Sequence, residues 1–208
     1  MFKLTHPLPK KYWVAVSGGV DSMAALHWLR KPSRKGLLGV VHIDHNTTHA
    51  KKAREFVYSF CRTEDISLLM FGVEGQPPKG ESKEAWWRDR RYDIFKNQVP
   101  GDDAIILGHH FDDCLEEYLM NTLVRGFMDT IGYSHGRCVR PFRLWKKESI
   151  VEYAVRNKVP WINDPSNNDA KYKRNHIRHY ITPEVLKLNP GVYNIVEKCI
   201  EHGEVGAG

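Results

Sequence analysis

The chain has 208 residues, of which 41% are hydrophobic, and its formal net charge at pH 7 is +6. This length and composition allow one hydrophobic core with at most a small appendage, and the lack of long apolar runs excludes a membrane-spanning segment. No charged-then-apolar leader opens the sequence, and the four cysteines are widely spread without a C-x-x-C pair. We therefore expect reduced thiols, a cytoplasmic location and no membrane partner.

The charges are unevenly distributed along the chain. Between Arg137 and Tyr180 eleven lysines and arginines stand against four acidic residues, whereas the segment from Gly101 to Glu117 holds six acidic residues and no Lys or Arg. The basic segment favours a nucleic-acid partner, with a solvated basic face as the alternative. The acidic segment favours a site for cations.

Strand-like and helix-like segments alternate up to residue 125. The predicted strands are 12–16, 37–43, 67–73 and 104–107, and the predicted helices are 22–30, 53–61, 83–96 and 111–125. This alternation predicts an α/β fold with a doubly wound, mainly parallel sheet and helices on both faces. In such a sheet ligands bind at the carboxyl ends of the strands.

The remainder of the chain is predicted to form a short helical C-terminal extension. Residues 125–138 carry little helix or strand signal, and we interpret them as a substrate loop, with a surface excursion as the alternative. After them we predict a helix over 147–157, a polar loop over 163–168 and short helices near 175–180 and 191–201.

A glycine turn, Ser17–Ser22, lies directly between the first predicted strand and the first predicted helix. The backbone N–H groups of such a turn and of the helix N-terminus point at one spot, where the helix dipole also favours an anion. The hydroxyls of Ser17 and Ser22 add donors, and the Asp21 carboxylate could hold Mg²⁺ beside bound phosphates. The turn lacks the lysine of a Walker loop and the third glycine of a dinucleotide fingerprint. It predicts a phosphate site, with an ordinary glycine turn as the alternative.

The second predicted strand ends in polar side chains. Strand alternation puts His42 and Asp44 on one face, and His45 enters the turn. At the carboxyl edge of the sheet these side chains could frame an adenine or a ribose, and plain polar caps are the alternative.

An acidic helix start follows the fourth predicted strand. If this helix begins near His110, then His109, Asp113 and Glu116 form a single stripe beside the phosphate turn. Crowded carboxylates repel one another unless a cation lies among them, so Mg²⁺, an amine substrate or both are implied. One alternative is a solvated acidic first turn, and another is a zinc site, although the ligand spacing matches no zinc pattern. The candidate zinc ligands are His42, His45, His49, His109, His110 and Cys114.

Basic side chains accompany these motifs. Arg88 and Arg91 lie with Glu84 on one face of the third predicted helix. Two arginines there suit a phosphate or carboxylate clamp, and an ion-paired solvated face is the alternative. Further on, Lys and Arg interleave with Tyr and His from Tyr172 to Arg178, a pattern that provides phosphate contacts together with base stacking.

The chain resembles the tRNA(Ile)-lysidine synthetases over roughly residues 10–185. The resemblance rests on the following motifs in this order: SGGVDS, HIDH, EAWWRDRRY, GHHFDDCLEE, RPF, DPSN and RNHIR. The SGGxDS turn alone indicates the PP-loop ATP pyrophosphatases, and the later motifs narrow the family. The resemblance implies an adenine nucleotide alpha hydrolase-like PP-loop fold. It also implies a PP-loop ATP-binding catalytic domain over 1–142 and a small, helical, basic tRNA-contacting extension over 143–208.

Members of this family act on the wobble cytidine of a minor isoleucine tRNA with a CAU anticodon. They bind ATP and Mg²⁺ and adenylate the oxygen on carbon 2 of the cytosine, with release of pyrophosphate. The ε-amine of free lysine then displaces AMP. The implied partners are therefore this tRNA, free L-lysine and ATP, and a homodimer is one oligomeric state that the sequence leaves open.

The resemblance also implies roles for individual residues. ATP would contact Ser17, Gly18, Gly19, Val20, Asp21, Ser22, His42 and Asp44, with Mg²⁺ near Asp21. The catalytic residues would be Asp21, His109, Asp113 and Glu116, and the lysine-binding residues would be Asp113, Glu116 and Arg174. The tRNA would contact Arg88, Arg91, Arg125, Arg140, Lys147, Arg174 and Arg178.

Two features depart from the family pattern. Cys114 and Glu117 stand where the family usually has Gln and Thr, and we interpret Cys114 as a packing residue. The chain also ends about where the family's C-terminal tRNA-gripping domains would begin, which predicts a minimal version or a smaller RNA target. The alternative functions are another PP-loop RNA-modifying enzyme with a different nucleophile and a non-catalytic RNA-binding relative.

Overall fold

The predicted α/β architecture is confirmed by a computed structural model that describes residues 4–46, 48–163 and 173–202. Within these ranges the side chains of Thr48, His49, Glu84 and His202 are not described. The side chains of the zinc candidate His49 and of Glu84, which shares a helix face with Arg88 and Arg91, are therefore not described. The segment Asp164–Tyr172, which contains the DPSN motif, lies outside the described part of the molecule.

The bounds of the elements follow the predicted alternation closely. The strands are β1 (Tyr12–Ala15), β2 (Leu37–Asp44), β3 (Leu68–Gly72), β4 (Ala104–Ile106), β5 (Ser134–His135) and β6 (Cys138–Val139). The helices are α1 (Val20–Leu29), α2 (Thr48–Thr63), α3 (Lys83–Asn97), α4 (Phe111–Met120), α5 (Lys147–Arg156), α6 (Lys173–His176), α7 (Thr182–Leu188) and α8 (Val192–His202). Two π-helical turns, Asn121–Arg125 and Ile177–Ile181, continue α4 and α6. Within the described ranges, none of the helices has the length and apolar character needed to cross a membrane.

The sheet has six strands in the order β3-β2-β1-β4-β6-β5. Its neighbours are parallel except for the final pair, β6 and β5. Tyr12 of β1 lies beside Leu37 of β2 on one side and beside Ala104 of β4 on the other. The winding direction reverses between β1 and β4, and such a reversal opens a crevice at the carboxyl ends of the two strands. The Ser17–Ser22 turn follows β1 and the GHH motif follows β4, so both lie at this crevice.

Side-chain alternation along β1 explains how helices cover both faces of the sheet. Tyr12 and Val14 are buried on the face covered by α1 and α5, whereas Trp13 and Ala15 pack on the opposite face with Phe95 of α3. A third apolar cluster joins α4 to α8. The doubly wound, mainly parallel sheet is therefore confirmed.

The predicted helix over 111–125 is confirmed in its bounds, but its last turn is π-helical. The α-helical hydrogen bonding of α4 ends at Met120, and the next five residues form a π-helical turn. Gly126 ends this turn with a φ of 81°, in the left-handed region that glycine tolerates.

The segment 125–138, predicted to lack regular structure, contains two short strands. β5 and β6 form a hairpin in which Ser134 pairs with Val139, and strands of two residues are too short to show an alternating pattern. The helix α7 was also missed. It carries Pro183 in its first turn, where the missing proline N–H costs no helical hydrogen bond.

Candidate functional site

The Ser17–Ser22 turn has a backbone conformation that requires glycine. Gly18 has a φ of +90°, in the left-handed region. A Cβ atom at this position would also lie 3.3 Å from the side chain of Ile162, whose backbone N–H donates to the Gly18 carbonyl at 3.0 Å. The turn is therefore held against the segment that follows α5, and a larger residue at position 18 would strain it.

The Ser22 hydroxyl stabilises the turn from inside. The Ser17 backbone N–H donates to Ser22 Oγ at 3.2 Å, and the Ser22 hydroxyl donates to the Gly19 carbonyl at 3.0 Å. Gly19 is the N-cap of α1, and no side chain of the described residues caps this helix. The first-turn N–H groups of α1 and its dipole therefore remain for a ligand, as a phosphate site requires.

Asp21 forms an ion pair with Lys147, the first residue of α5. The ammonium lies 2.6 and 2.7 Å from the two carboxylate oxygens. Both side chains stay partly accessible, with 31% of Asp21 and 40% of Lys147 exposed. The structure places Lys147, which the sequence predicted as a tRNA contact, at the phosphate turn, and its contact with tRNA stays a prediction. One partly exposed charge of each sign therefore lies at the phosphate turn.

The polar side chains at the end of β2 make most of their hydrogen bonds within the protein. The buried His42 donates from Nδ1 to the Val16 carbonyl at 2.8 Å, and burial lowers the pKa of its ring. Asp44 accepts from the Asn46 N–H at 2.8 Å and from Arg54 at 3.1 Å. His42 Nε2 has no hydrogen-bond partner within the described ranges. The nucleoside contacts of His42 and Asp44 stay predictions.

Helix α4 begins with a capping arrangement around His110. The His110 N–H donates to Asp113 Oδ2 at 3.0 Å, and the Asp113 N–H lies 3.4 Å from His110 Nδ1. The same ring lies 3.5–3.7 Å from the carboxylates of Asp21, Asp112 and Asp113. The sequence placed His110 near the start of this helix and among the zinc candidates, but not as a capping residue. The signal that could have indicated a capping role is Asp113, an acidic residue three positions after His110.

The charge of the His110 ring follows from these carboxylates. Burial alone would lower its pKa, but Asp113, Asp112 and Asp21 outweigh burial and raise the pKa above its ordinary value. The 3.4 Å contact to Nδ1 would need a neutral ring. Because that contact is long and weak, the three carboxylates decide the charge. The carboxylates therefore favour the protonated form of His110, whose ring links the phosphate turn to α4.

We expect His110 to make the stability of the protein depend on pH. Because folding raises its pKa, the stabilisation is fully present below the unfolded pKa of about 6.5 and is lost as the pH rises through the folded value. The free energy of unfolding of the wild type should exceed that of a His110→Asn variant. This difference should be largest at about pH 5.5 and should shrink toward about pH 9. Asparagine keeps the N-cap, so urea denaturation of both proteins isolates the charge. An excess that grows as the pH rises would contradict this assignment.

Glu116 is the charged centre of the acidic stripe. Its carboxylate is 3% exposed and accepts from Arg174 Nε at 3.1 Å. It also accepts from Arg178 at 2.6 and 2.9 Å. Asp113, one turn earlier, lies 3.6 Å from Arg178 and 3.9 Å from Arg174. Burial would raise the pKa of Asp113, but charged His110 and Arg174 hold it well below its usual range.

The cations that the acidic stripe requires are supplied by the chain itself. Arg174 comes from α6 and Arg178 from the π-helical turn after it, so no bound ion is needed to hold the carboxylates together. Within residues 4–46, 48–163 and 173–202, no three His, Cys, Asp or Glu side chains are grouped as a metal site would need. The zinc alternative has no support there. The lysine-binding role of Asp113, Glu116 and Arg174 stays a prediction.

A cleft of about 1220 Å³ opens beside the acidic stripe. It is lined by His109, Asp113 and Glu116 and by most of the predicted tRNA contacts. These contacts are Arg88, Arg91, Arg125, Arg140, Arg174 and Arg178. The cleft therefore gathers residues that are far apart in the sequence, and Lys147 is the predicted tRNA contact that does not line it.

The arginines of the cleft differ in their exposure and in the hydrogen bonds that they already make within the protein. Arg140 is buried and donates to the Gly132 carbonyl at 2.9 Å and to the Tyr92 hydroxyl at 2.8 Å. It therefore braces the loop before β5. Arg88 is exposed at the cleft. It is therefore better placed than Arg140 to contact a phosphate.

His109 lines the cleft as a neutral imidazole. Burial lowers its pKa to about 3, although the Asp113 carboxylate opposes this shift. Its Nδ1 has no hydrogen-bond partner in the part of the chain that the structure describes. A neutral ring of this pKa suits hydrogen bonding to a substrate better than proton transfer at neutral pH. The catalytic role of His109 stays a prediction. Of the roles considered, positioning a substrate by a hydrogen bond suits this ring better than transferring a proton.

Cys114 lies inside the third apolar cluster. It is fully buried there, and the Thr130 hydroxyl donates to its backbone carbonyl at 2.6 Å. Burial raises the pKa of its thiol to about 12, so the thiolate that sulfur chemistry needs is not available. These surroundings fit the predicted packing role.

The strand order, the glycine turn at the switch point and the acidic helix beside it define a PP-loop protein. The family model for the PP-loop domain matches residues 3–185, and the chain belongs to this family. Membership implies that the chain uses ATP. The U34-tRNA thiolase NcsA from Methanococcus maripaludis, solved with its 4Fe-4S cluster, superposes with a TM-score of 0.71 at 14% identity, over 100% of this chain and 74% of that one. At this identity the likeness shows the fold alone.

Curated relatives carry this domain in longer chains. The tRNA(Ile)-lysidine synthase of Thermotoga maritima is 36% identical over 199 residues, which are 90% of this chain and 48% of that protein. That of Legionella pneumophila is 30% identical over 220 residues, which are 96% of this chain and 50% of the relative. The bifunctional protein TilS/HprT of Listeria innocua is 35% identical over 210 residues, with coverages of 92% and 32%. The chain thus spans half or less of these relatives.

Proposed function

We propose that the chain forms lysidine on the wobble cytidine of an isoleucine tRNA with a CAU anticodon, using ATP and free lysine. The observation that carries the proposal is the junction of two sites. The His110 ring lies 3.7 Å from Asp21 of the phosphate turn and 3.5 Å from Asp113, which lines the arginine-rich cleft. Relatives named tRNA(Ile)-lysidine synthase, at 30% and 36% identity, support this choice of reaction.

The proposed reaction consists of two displacements. In the first, the oxygen on carbon 2 of cytosine attacks the α-phosphorus of ATP, the bond from that phosphorus to the β-phosphate oxygen breaks, and pyrophosphate leaves. In the second, the lysine ε-ammonium gives a proton to water, the free amine attacks carbon 2, the bond from carbon 2 to the AMP oxygen breaks, and the attacking nitrogen loses its second proton to water. Both steps develop negative charge that the site has to stabilise.

The phosphate turn is the proposed site for the departing pyrophosphate. The N–H groups of Ser17–Ser22 would meet its oxygens, and Lys147 would turn from Asp21 to a phosphate oxygen in place of the tRNA contact first predicted. Asp21 would hold Mg²⁺, which when bound neutralises charge on the phosphates. His42 and Asp44 would border the nucleoside.

The acidic stripe is the proposed site for lysine. The lysine ε-ammonium is positively charged, as are the guanidinium groups of Arg174 and Arg178. We therefore expect lysine to take the place of one guanidinium at the carboxylate of Asp113 or Glu116. The displaced arginine could then meet the lysine carboxylate in a two-pronged contact. His109, as a neutral hydrogen-bonding group, would position the acceptor base.

The proposed domain division assigns 1–142 to ATP binding and catalysis and 143–208 to a helical, tRNA-contacting extension. Lys147 and Arg174 belong to the second part and contact Asp21 and Glu116 of the first. The extension therefore completes the proposed site. A cytoplasmic location suits an enzyme that acts on tRNA and belongs to this proposal.

Pyrophosphate release tests this function. We expect sustained release only when tRNA and lysine are both present, because without lysine each enzyme molecule stops at adenylated tRNA. If ammonia or a sulfur donor sustains release in place of lysine, a different PP-loop reaction is the correct one. A protein that binds the tRNA but releases no pyrophosphate would be the non-catalytic relative.

A further inference from the structure

Trp87 is an aromatic side chain at the wall of the cleft. It lies on α3, one turn before Arg91, and both residues line the cleft. The Trp87 side chain is half-buried. In the described part of the chain it does not belong to any of the three apolar clusters that form the core. Packing in the core therefore does not account for a large indole at this position.

The surroundings of Trp87 have the composition of a base-stacking site. The His45 ring lies 5.2 Å from the Trp87 ring at an interplanar angle of 41°, and it also lines the cleft. The Lys83 ammonium lies 4.7 Å from the centre of the indole. Aromatic faces with adjacent cations bind single-stranded nucleic acid, because the base stacks while the cations meet the phosphates. Burial lowers the pKa of His45 to about 4, so its ring is neutral at pH 7 and adds no charge to this surface.

The lining of the cleft favours a base of RNA over the adenine of ATP. In the described structure no residue of the Ser17–Ser22 turn lines this cleft. Its wall instead carries Arg88, Arg91 and Arg125, which suit the several phosphates of an RNA strand better than the single triphosphate held at the turn.

We propose that Trp87, with the His45 ring beside it, forms the stacking surface for a nucleobase of the RNA substrate at the entrance to the acceptor site. This inference rests on the proposed function, since it assumes that the cleft admits RNA. It adds a binding contact that neither the phosphate turn nor the acidic stripe provides.

The affinity of the full chain for a CAU-anticodon tRNA(Ile) transcript, measured without ATP and lysine, tests the proposal. Trp87→Ala should weaken binding by about 5- to 150-fold, the range expected when one stacked base loses its partner. Trp87→Phe keeps an aromatic face and should recover most of the affinity. Trp86→Ala is the matched control, because this neighbouring tryptophan is not a lining residue of the described cleft, and its affinity should stay at the wild-type value.

Transcripts with an abasic site at single anticodon-loop positions identify the base. At one position the effect of Trp87→Ala should disappear, because the stacked base is already absent. Binding that is unchanged by Trp87→Ala in a folded variant, or a loss of ATP affinity without a loss of tRNA affinity, would overturn the stacking role alone. A wild-type protein that does not bind the tRNA at all would overturn the proposed function as well.

Discussion

Replacing Asp21 with asparagine is expected to lower the rate of pyrophosphate release by about 10²- to 10³-fold, the loss typical of one group that stabilises developing charge. The amide keeps the shape of the side chain but removes the charge that would hold Mg²⁺. It also removes the partner of Lys147, whose ammonium lies 2.6 Å from the carboxylate. The rate should be measured with saturating ATP, Mg²⁺, tRNA and lysine. The affinity for tRNA should not change, because Asp21 is not a lining residue of the cleft.

The matched control for this loss is Asp93→Asn. Asp93 is an exposed carboxylate on α3 that accepts from the Asn97 amide at 2.8 Å, and its replacement should leave the rate within about twofold. An Asp21→Asn protein that keeps the wild-type rate would contradict the assignment of the turn. Equal losses in both variants would indicate a general defect in folding.

Replacing Glu116 with glutamine is expected to lower the free energy of unfolding by about 3 kcal/mol, at the lower end of the cost of breaking a buried ion pair. The carboxylate is 3% exposed, whereas its partners Arg174 and Arg178 are 27% and 35% exposed. Water can therefore solvate part of each guanidinium that loses its partner, which keeps the loss at the lower end. Urea denaturation at pH 7 measures the difference.

Two further variants separate the ion pair from a general effect of losing a carboxylate. Glu152→Gln on α5 removes an exposed carboxylate and should change the free energy of unfolding by no more than about 0.5 kcal/mol. Adding Arg178→Met to Glu116→Gln should recover part of the loss, because one unpaired cation is then absent. If Glu116→Gln costs no more than Glu152→Gln, the arginines do not depend on Glu116 for their placement.

The parts of the fold with a local signal were predictable from the sequence. β1, β2 and β4 are apolar runs, and the Ser17–Ser22 turn stands where a strand gives way to a helix. The alternation of strands and helices along the chain implied a parallel sheet that binds its ligand at the carboxyl edge. The observed order β3-β2-β1-β4 puts the Ser17–Ser22 turn and α4 side by side at this edge. The short β5 and β6 carried no such signal and were missed.

The pairings that complete the site could not be read from local sequence. Lys147 and Asp21 are 126 residues apart, and Arg178 and Glu116 are 62 residues apart. A basic segment attracts phosphate wherever it folds, so its charge cannot distinguish a lysine at the phosphate turn from one that faces tRNA. The acidic stripe predicted a cation but not that the cation would be an arginine of the same chain.

Mass spectrometry of a CAU-anticodon isoleucine tRNA, incubated with the protein, ATP, Mg²⁺ and lysine, tests the proposed function most directly. Nuclease digestion should yield a wobble nucleoside heavier than cytidine by the mass of lysine less water, and the product should disappear when ATP or lysine is omitted. Isotopically labelled lysine should shift the mass of this nucleoside alone. A wobble cytidine of unchanged mass after sustained pyrophosphate release, or a modified nucleoside that forms without lysine, would contradict lysidine formation.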